Sequence, residues 1–173
     1  EGQEYLSIDR KGRARLKNHE EMLADWCAFY NWKKNDREGF FRMARGKEEI
    51  RDLLRRNLAG REGYALSLHS GNNLVRPFVS YDVVHLYIED SGLAERLKNA
   101  LELEPVPLES ANVVLMGSYY RHSVFWGARD IGDFRVVSDL QLHLDLARFP
   151  IRGSEAADEI LQERLRPLWE KNS

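Results

Sequence analysis

Apolar and polar positions along this chain alternate with two periods, and the switches between them mark the elements. Tyr5-Leu6-Ser7-Ile8 and Ala14-Arg15-Leu16 alternate around Arg10-Lys11-Gly12-Arg13, the pattern of a β-hairpin. An isolated hairpin is marginal in water, so this one is expected to pack on the rest of the chain or to have lost a partner with a missing N-terminus. Asn18 and Glu21 fit a capping box at the start of a helix, in which Met22, Leu23, Trp26, Cys27 and Tyr30 recur at helical spacing. Trp26, Phe29, Tyr30 and Trp32 read as core aromatics. Residues 31–35 read as a bend and Phe40-Phe41-Arg42-Met43 as a short strand. A second helix spans Lys47 to Leu58 with Ile50, Leu53, Leu54 and Leu58 inward, ended by Gly60 and Gly63.

From Tyr64 onward strands and helices alternate. Tyr64 to Leu68 reads as a strand running into a short helix near Ser70 to Val75, stopped before Pro77. Val83 to Ile88 is a buried strand, Ser91 is expected to cap a helix bearing Leu93, Leu97 and Leu101, and Asn112 to Met116 is a further strand. Phe125–Arg129 and Phe134–Val137 flank a turn at Asp130-Ile131-Gly132-Asp133, and Ser138 with Gln141 opens a helix through Leu146. Ser154 is expected to open the last helix, with Ala156, Ala157, Ile160, Leu161 and Leu165 inward. The fold class that follows is α/β (α+β): a mixed sheet of about five strands with flanking helices, preceded by a β-hairpin and a helix.

Composition narrows the class. With 173 residues, 43% of them hydrophobic and 31% charged, the chain has the make-up of one ordinary folded domain. Cys27 is its single cysteine, which excludes a disulfide framework and any multi-cysteine metal site. No apolar run approaches the roughly 18 residues of a membrane span, and the polar start is no signal peptide, so a cytoplasmic protein without membrane association is expected. The net charge of −2 hides an asymmetry: residues 1–63 hold 15 Lys/Arg against 12 Asp/Glu, the remainder 11 against 16. The basic bias is sharpest at Arg10, Lys11, Arg13, Arg15 and Lys17, five cations in eight residues and a candidate footprint for phosphates, or else a solvated hairpin tip.

Motifs for catalysis are sparse. The histidines His19, His69, His85, His122 and His143 form no His-Glu-x-x-His, and there is no nucleophile elbow, phosphate-binding glycine loop or dinucleotide-binding glycine series. Leu68-His69-Ser70-Gly71 ahead of His85-Leu86-Tyr87-Ile88 has the spacing of polymerase β-like nucleotidyltransferases, whose strand carries alternating carboxylates that hold Mg²⁺. His85 and Tyr87 stand where those carboxylates belong and do not suit Mg²⁺, so the pattern is compatible with an inactive relative of that core. The enzymatic alternative, a nucleotidyltransferase-like enzyme using Mg²⁺ on nucleotides or nucleic acid, would draw on Asp82, His85, Glu89 or Asp145 beside a pocket lined by Ser70 and Gly71. A third alternative, a protein-interaction domain, would expose apolar surface around Trp126 or Trp169.

Gly63-Tyr64-Ala65-Leu66, Val84-His85-Leu86-Tyr87-Ile88, Ala111-Asn112-Val113-Val114-Leu115, Val124-Phe125-Trp126-Gly127-Ala128-Arg129, Val136 through Leu146 and Arg152-Gly153-Ser154-Glu155-Ala156-Ala157 occur in a recognisable order. Jointly they resemble AbiEi-type antitoxins of type IV toxin–antitoxin (abortive infection) systems, over about residues 5–165. The resemblance implies an N-terminal winged helix-turn-helix that binds the operon's own promoter, followed by an α/β domain needed for antitoxicity. It implies a nucleotidyltransferase-like toxin that is countered without a stable complex. On this reading residues 1–45 are the remnant of a wing plus a linker helix, and 46–173 the antitoxin-like domain. The partners expected are operator DNA, touched through Arg10, Lys11, Arg13, Arg15 and Lys17, and functionally the toxin. No catalytic residue, metal ligand or cofactor is expected.

Overall fold

The structure, a computed structural model, describes residues 5–77, 79–120 and 123–172; His122, named above, lies outside them, as do residues 1–4. The chain begins with the expected hairpin, β1 (Leu6–Ile8) and β2 (Ala14–Leu16), antiparallel with Leu6 opposite Leu16 and Ile8 opposite Ala14. Its turn is built by Asp9, whose carboxylate accepts the backbone N–H groups of Lys11 (2.8 Å) and Arg13 (3.0 Å), with Gly12 supplying a φ of +76°. Helix α1 (His19–Phe29) follows, but the capping box does not form. Asn18 sits in the left-handed region (φ 51°, ψ 48°), and its side chain caps no N–H. A capping residue needs extended backbone to turn its oxygen toward those groups.

Leu23 and Tyr30 of the α1 stripe are buried, and Trp32 is buried in the 3₁₀ turn Trp32–Lys34. Trp26 and Phe29 are exposed, against expectation: with Met22 they lie on the adjacent stripe, about 100° around the helix from the Leu23–Cys27–Tyr30 line.

Strand β3 (Asp36–Phe41) starts four residues earlier than the apolar pattern suggested. Its outer neighbour covers only Phe40 and Phe41, so the polar stretch Asp36–Glu38 has one edge free for solvent. Asn112 stops the strand by bonding both the N–H and the carbonyl of Arg42, each at 2.8 Å. Helix α2 (Lys47–Leu58) spans the predicted residues, with Gly60 just past its end at φ +67°.

There follow β4 (Tyr64–Leu66), α3 (Leu68–Val75), β5 (Val84–Ile88), α4 (Ser91–Ala100), the two-residue β6 (Glu104–Pro105) and β7 (Val113–Gly117). Helix α4 is capped by Asp90, which accepts the Leu93 N–H at 2.9 Å, so Ser91 is its first residue and not its cap. The hairpin β8 (Arg129–Ile131) and β9 (Phe134–Val136) leads to α5 (Asp139–Ala147), where Ser138 caps as predicted by accepting the Gln141 N–H at 3.1 Å. Helix α6 (Gly153–Ile160) follows a left-handed Arg152 rather than a Ser154 cap, and passes through a π turn at Leu161–Leu165 into α7 (Arg166–Asn172).

Seven strands form one mixed sheet in the order β6-β3-β7-β5-β4-β9-β8, with β5/β7 and β4/β9 parallel and the other pairs antiparallel. The fold class is the α/β (α+β) type expected; the two strands beyond the expected five come from the short edges.

Alternation divides the sheet into two faces. Tyr64, Leu66, Leu86 and Ile88 share one face by register, and α2 and α4 cover it: Arg51 lies over the Phe134 ring, and Lys98 lies over Phe40 and pairs with Glu38. His85 and Tyr87 point to the other face, which α1, α3, α5 and α6 close. The hairpin β1–β2 does not join this sheet.

Candidate functional site

The basic hairpin is the first candidate. Alternation puts Leu6, Ile8, Ala14 and Leu16 on one of its faces and Arg13, Arg15 and Lys17 on the other, with Arg10 and Lys11 at the turn. All five cations are exposed, and so are the apolar residues: Leu6 is 58% exposed, Ile8 75% and Leu16 36%. Arg13 is partly committed, its Nε lying 2.8 Å from the Asp9 carboxylate. The strip brings together every residue singled out for phosphate contact. It stands away from the sheet, tied back through Tyr5, whose hydroxyl donates to Asp25 and whose carbonyl accepts the Lys17 N–H at 2.7 Å.

A second cluster lies inside the closed face of the sheet, around Asp145. This carboxylate is wholly buried and accepts from Tyr30 Oη (2.5 Å), Ser67 Oγ (2.6 Å), Tyr87 Oη (3.0 Å) and Gln141 Nε2 (3.0 Å). Tyr87 Oη in turn accepts from Asn35 Nδ2 at 2.8 Å, and Asn35 Oδ1 accepts the Tyr119 N–H at 3.0 Å. Burial pushes the Asp145 carboxyl above the ordinary range, and the donors from Ser67, Tyr30, Tyr87 and Gln141 pull it back. Burial, joined by the Asp145 charge, drives the Tyr30 and Tyr87 hydroxyls up. Every hydroxyl here already donates to Asp145, and among the described residues no imidazole bonds to Ser67. The cluster ties α1, the β4–α3 junction, β5 and α5 to one point.

The sequence names Asp145 only as a candidate ligand; the partners that define its role were missed. The legible signal was Gln141 and Asp145, one turn apart on a helix otherwise rich in leucine.

The carboxylates of the nucleotidyltransferase alternative, Asp82, Glu89 and Asp145, do not converge among the described residues. Asp82 and Glu89 are exposed at opposite ends of β5, and neither approaches Asp145 in the bonding network. Ser70 is buried with its Oγ donating to the Ser67 and His85 carbonyls (2.8 and 2.9 Å) and accepting the His85 N–H at 3.0 Å. Gly71 is packed so closely that a Cβ there would stand 2.8 Å from the Leu66 carbonyl oxygen. Among the described residues no group of three or more His, Cys, Asp or Glu is placed to hold a metal ion. Trp126 is exposed, whereas Trp169 is part-buried and stacks on His19 with ring centroids 5.2 Å apart. No helix among the described residues is long and apolar enough to cross a membrane.

Neither the curated proteins nor the solved structures contain a match to this chain. A family model does match, and it covers residues 15–166, from the second strand of the hairpin through the π turn into α7. That span takes in the whole seven-stranded sheet and the Asp145 cluster, and on it the chain belongs to the family described as transcriptional regulator, AbiEi antitoxin, of type IV toxin–antitoxin systems.

Proposed function

We propose that this protein is a non-enzymatic antitoxin regulator of the cytoplasm that represses its own operon, contacting DNA phosphates through Arg10, Lys11, Arg13, Arg15 and Lys17. Base reading belongs to an N-terminal module of the winged-helix kind, and the hairpin acts as its wing. The observation that carries this reading is the exposed basic strip, held by a preformed turn and free of the sheet. Phosphate contacts of this kind position a protein on a duplex without specifying sequence. The seven-stranded domain supplies antitoxicity toward a toxin that it opposes without a stable complex, and it needs no metal to do so.

The test is fluorescence polarisation of a labelled promoter duplex between about 50 and 200 mM salt. Reversal of three charges, Arg10→Glu, Arg13→Glu and Arg15→Glu together, is expected to weaken binding at least tenfold and flatten the salt dependence by about three units of log–log slope. Chelation with EDTA is expected to change nothing. Equal binding by the reversed and unaltered proteins would overturn the assignment of the hairpin.

A further inference from the structure

The closed face of the sheet carries a second cluster that the Asp145 network does not use. Its centre is the phenyl ring of Phe149, enclosed by the rings of Trp32, His69 and His85 at centroid distances of 5.2, 5.3 and 5.6 Å. Both histidines meet it edge-on. These three side chains are buried to 6%, 4% and 7% exposure, yet Trp32 Nε1, His69 Nδ1 and His85 Nδ1 have no hydrogen-bond partner among the described residues. The same is true of Nε of Arg37, whose guanidinium lies 4.7 Å from the centre of the Trp32 ring. Buried polar atoms are almost always paired, and three orphans on the rings around Phe149, with a fourth over Trp32, call for a cause.

The chemistry of the orphans is mixed. Trp32 Nε1 and Arg37 Nε are donors. His69 Nε2 donates to the Ile151 carbonyl at 2.6 Å, which in the neutral ring leaves Nδ1 as an acceptor. Burial holds His85 down to about 4, with the Val83 carbonyl offsetting part of the fall, so at neutral pH His85 presents an uncharged ring. A phosphate would meet an uncharged imidazole at His85, and a hydrocarbon would leave every orphan unpaired. A planar heterocycle bearing both donors and acceptors would take the place of the planar Phe149 ring and offer partners to the orphans.

Phe149 fills that place from outside. It comes from the short connector between α5 and α6, where Arg148, Pro150 and Ile151 are all exposed and only Phe149 turns inward. The His69–Ile151 bond latches the connector, and Gly153 anchors its far end, since a Cβ there would collide with the Leu146 carbonyl oxygen. We propose that the cage of Trp32, Arg37, His69 and His85 is a nucleobase-binding site, and that Phe149 occupies it as an internal surrogate for the base. This inference is independent of DNA binding by the hairpin.

The experiment is thermal melting of the full chain carrying Phe149→Ala, with adenine, cytosine or toluene as probe. At about ten times its Kd one of the bases is expected to raise the melting temperature by about 4 °C, and toluene is expected to raise it less. Adding Trp32→Phe, which keeps a ring but removes the indole N–H, is expected to weaken base binding at least tenfold. Stabilisation by toluene equal to that by the bases would show a merely apolar cavity and overturn the proposal, as would no response to any probe. If Phe149→Ala does not melt cooperatively, Phe149→Leu takes its place, read together with the indole N–H resonance of Trp32 in the unaltered protein. An unmoved resonance at millimolar adenine, with no shift in the Leu variant, would equally overturn it.

Discussion

His85 and Asp145 are buried ionisable groups reached from the same face of the sheet, and their linkage to pH has opposite signs. Burial, the larger cause, lowers His85 from the ordinary 6.5 to about 4. Its contribution to stability is therefore complete above pH 6.5 and is lost as the pH falls toward 4, at about 1.4 kcal/mol per pH unit. His143 is shifted the same way by burial and adds to the loss. Asp145 is raised, so its contribution is complete below the ordinary carboxylate range and is lost as the pH rises; in acid it opposes the histidines. The histidines govern the range just below neutrality. Calorimetry between pH 6.5 and 4.5 is expected to show His85→Gln losing less melting temperature than the unaltered protein, by about 5 °C or more. Equal losses would mean that His85 is not the group that titrates. The single residues were poorly legible in the sequence: His85 lies in a strand expected to be buried, and it is buried, but Trp32 and Phe149, more than 100 positions apart, carried no mark of their meeting around it.

At the scale of elements, periodicity located the helices and buried strands, and local context decided their ends. Helix α2 and strand β5 stand within a residue of the apolar pattern because each buries a continuous face. The caps at Asn18, Ser91 and Ser154 were misread because each depends on the backbone angle of one residue, and that angle is set by what precedes it: the hairpin exit, the strand end at Asp90, and the Phe149 connector. Strand β3 was displaced because its polar half is tolerated at a nearly free edge. Gly71 shows the same priority of contact over propensity. Alanine in mid-helix is intrinsically favoured by about 1 kcal/mol, yet its Cβ here would stand 2.8 Å from the Leu66 carbonyl, backbone that cannot step aside. Overpacking of this kind costs about 1–3 kcal/mol and outweighs the helical gain. Gly71→Ala is thus expected to lower the urea midpoint at unchanged m value; a rise would mean that the β4–α3 junction yields.

Across the whole molecule the decisive division lies between the hairpin and the sheet. Among the described residues the hairpin pairs only with itself and leaves Leu6, Ile8 and Leu16 in solvent, whereas Tyr30, Trp32 and Phe40, earlier in the chain than α2, already belong to the core. The alternating pattern revealed that a hairpin exists and that it is basic. It could not reveal whether the apolar face was covered, because that depends on surfaces remote in sequence. The bond from Tyr5 to Asp25 that ties the hairpin back is exposed, and bonds open to solvent add little to the stability of a domain. A chain beginning at Lys17 is expected to melt within about 4 °C of the full chain while losing the salt-dependent affinity for duplex DNA. A drop of more than about 10 °C would place the hairpin within the cooperative core, and a wing free to meet DNA would then no longer describe it.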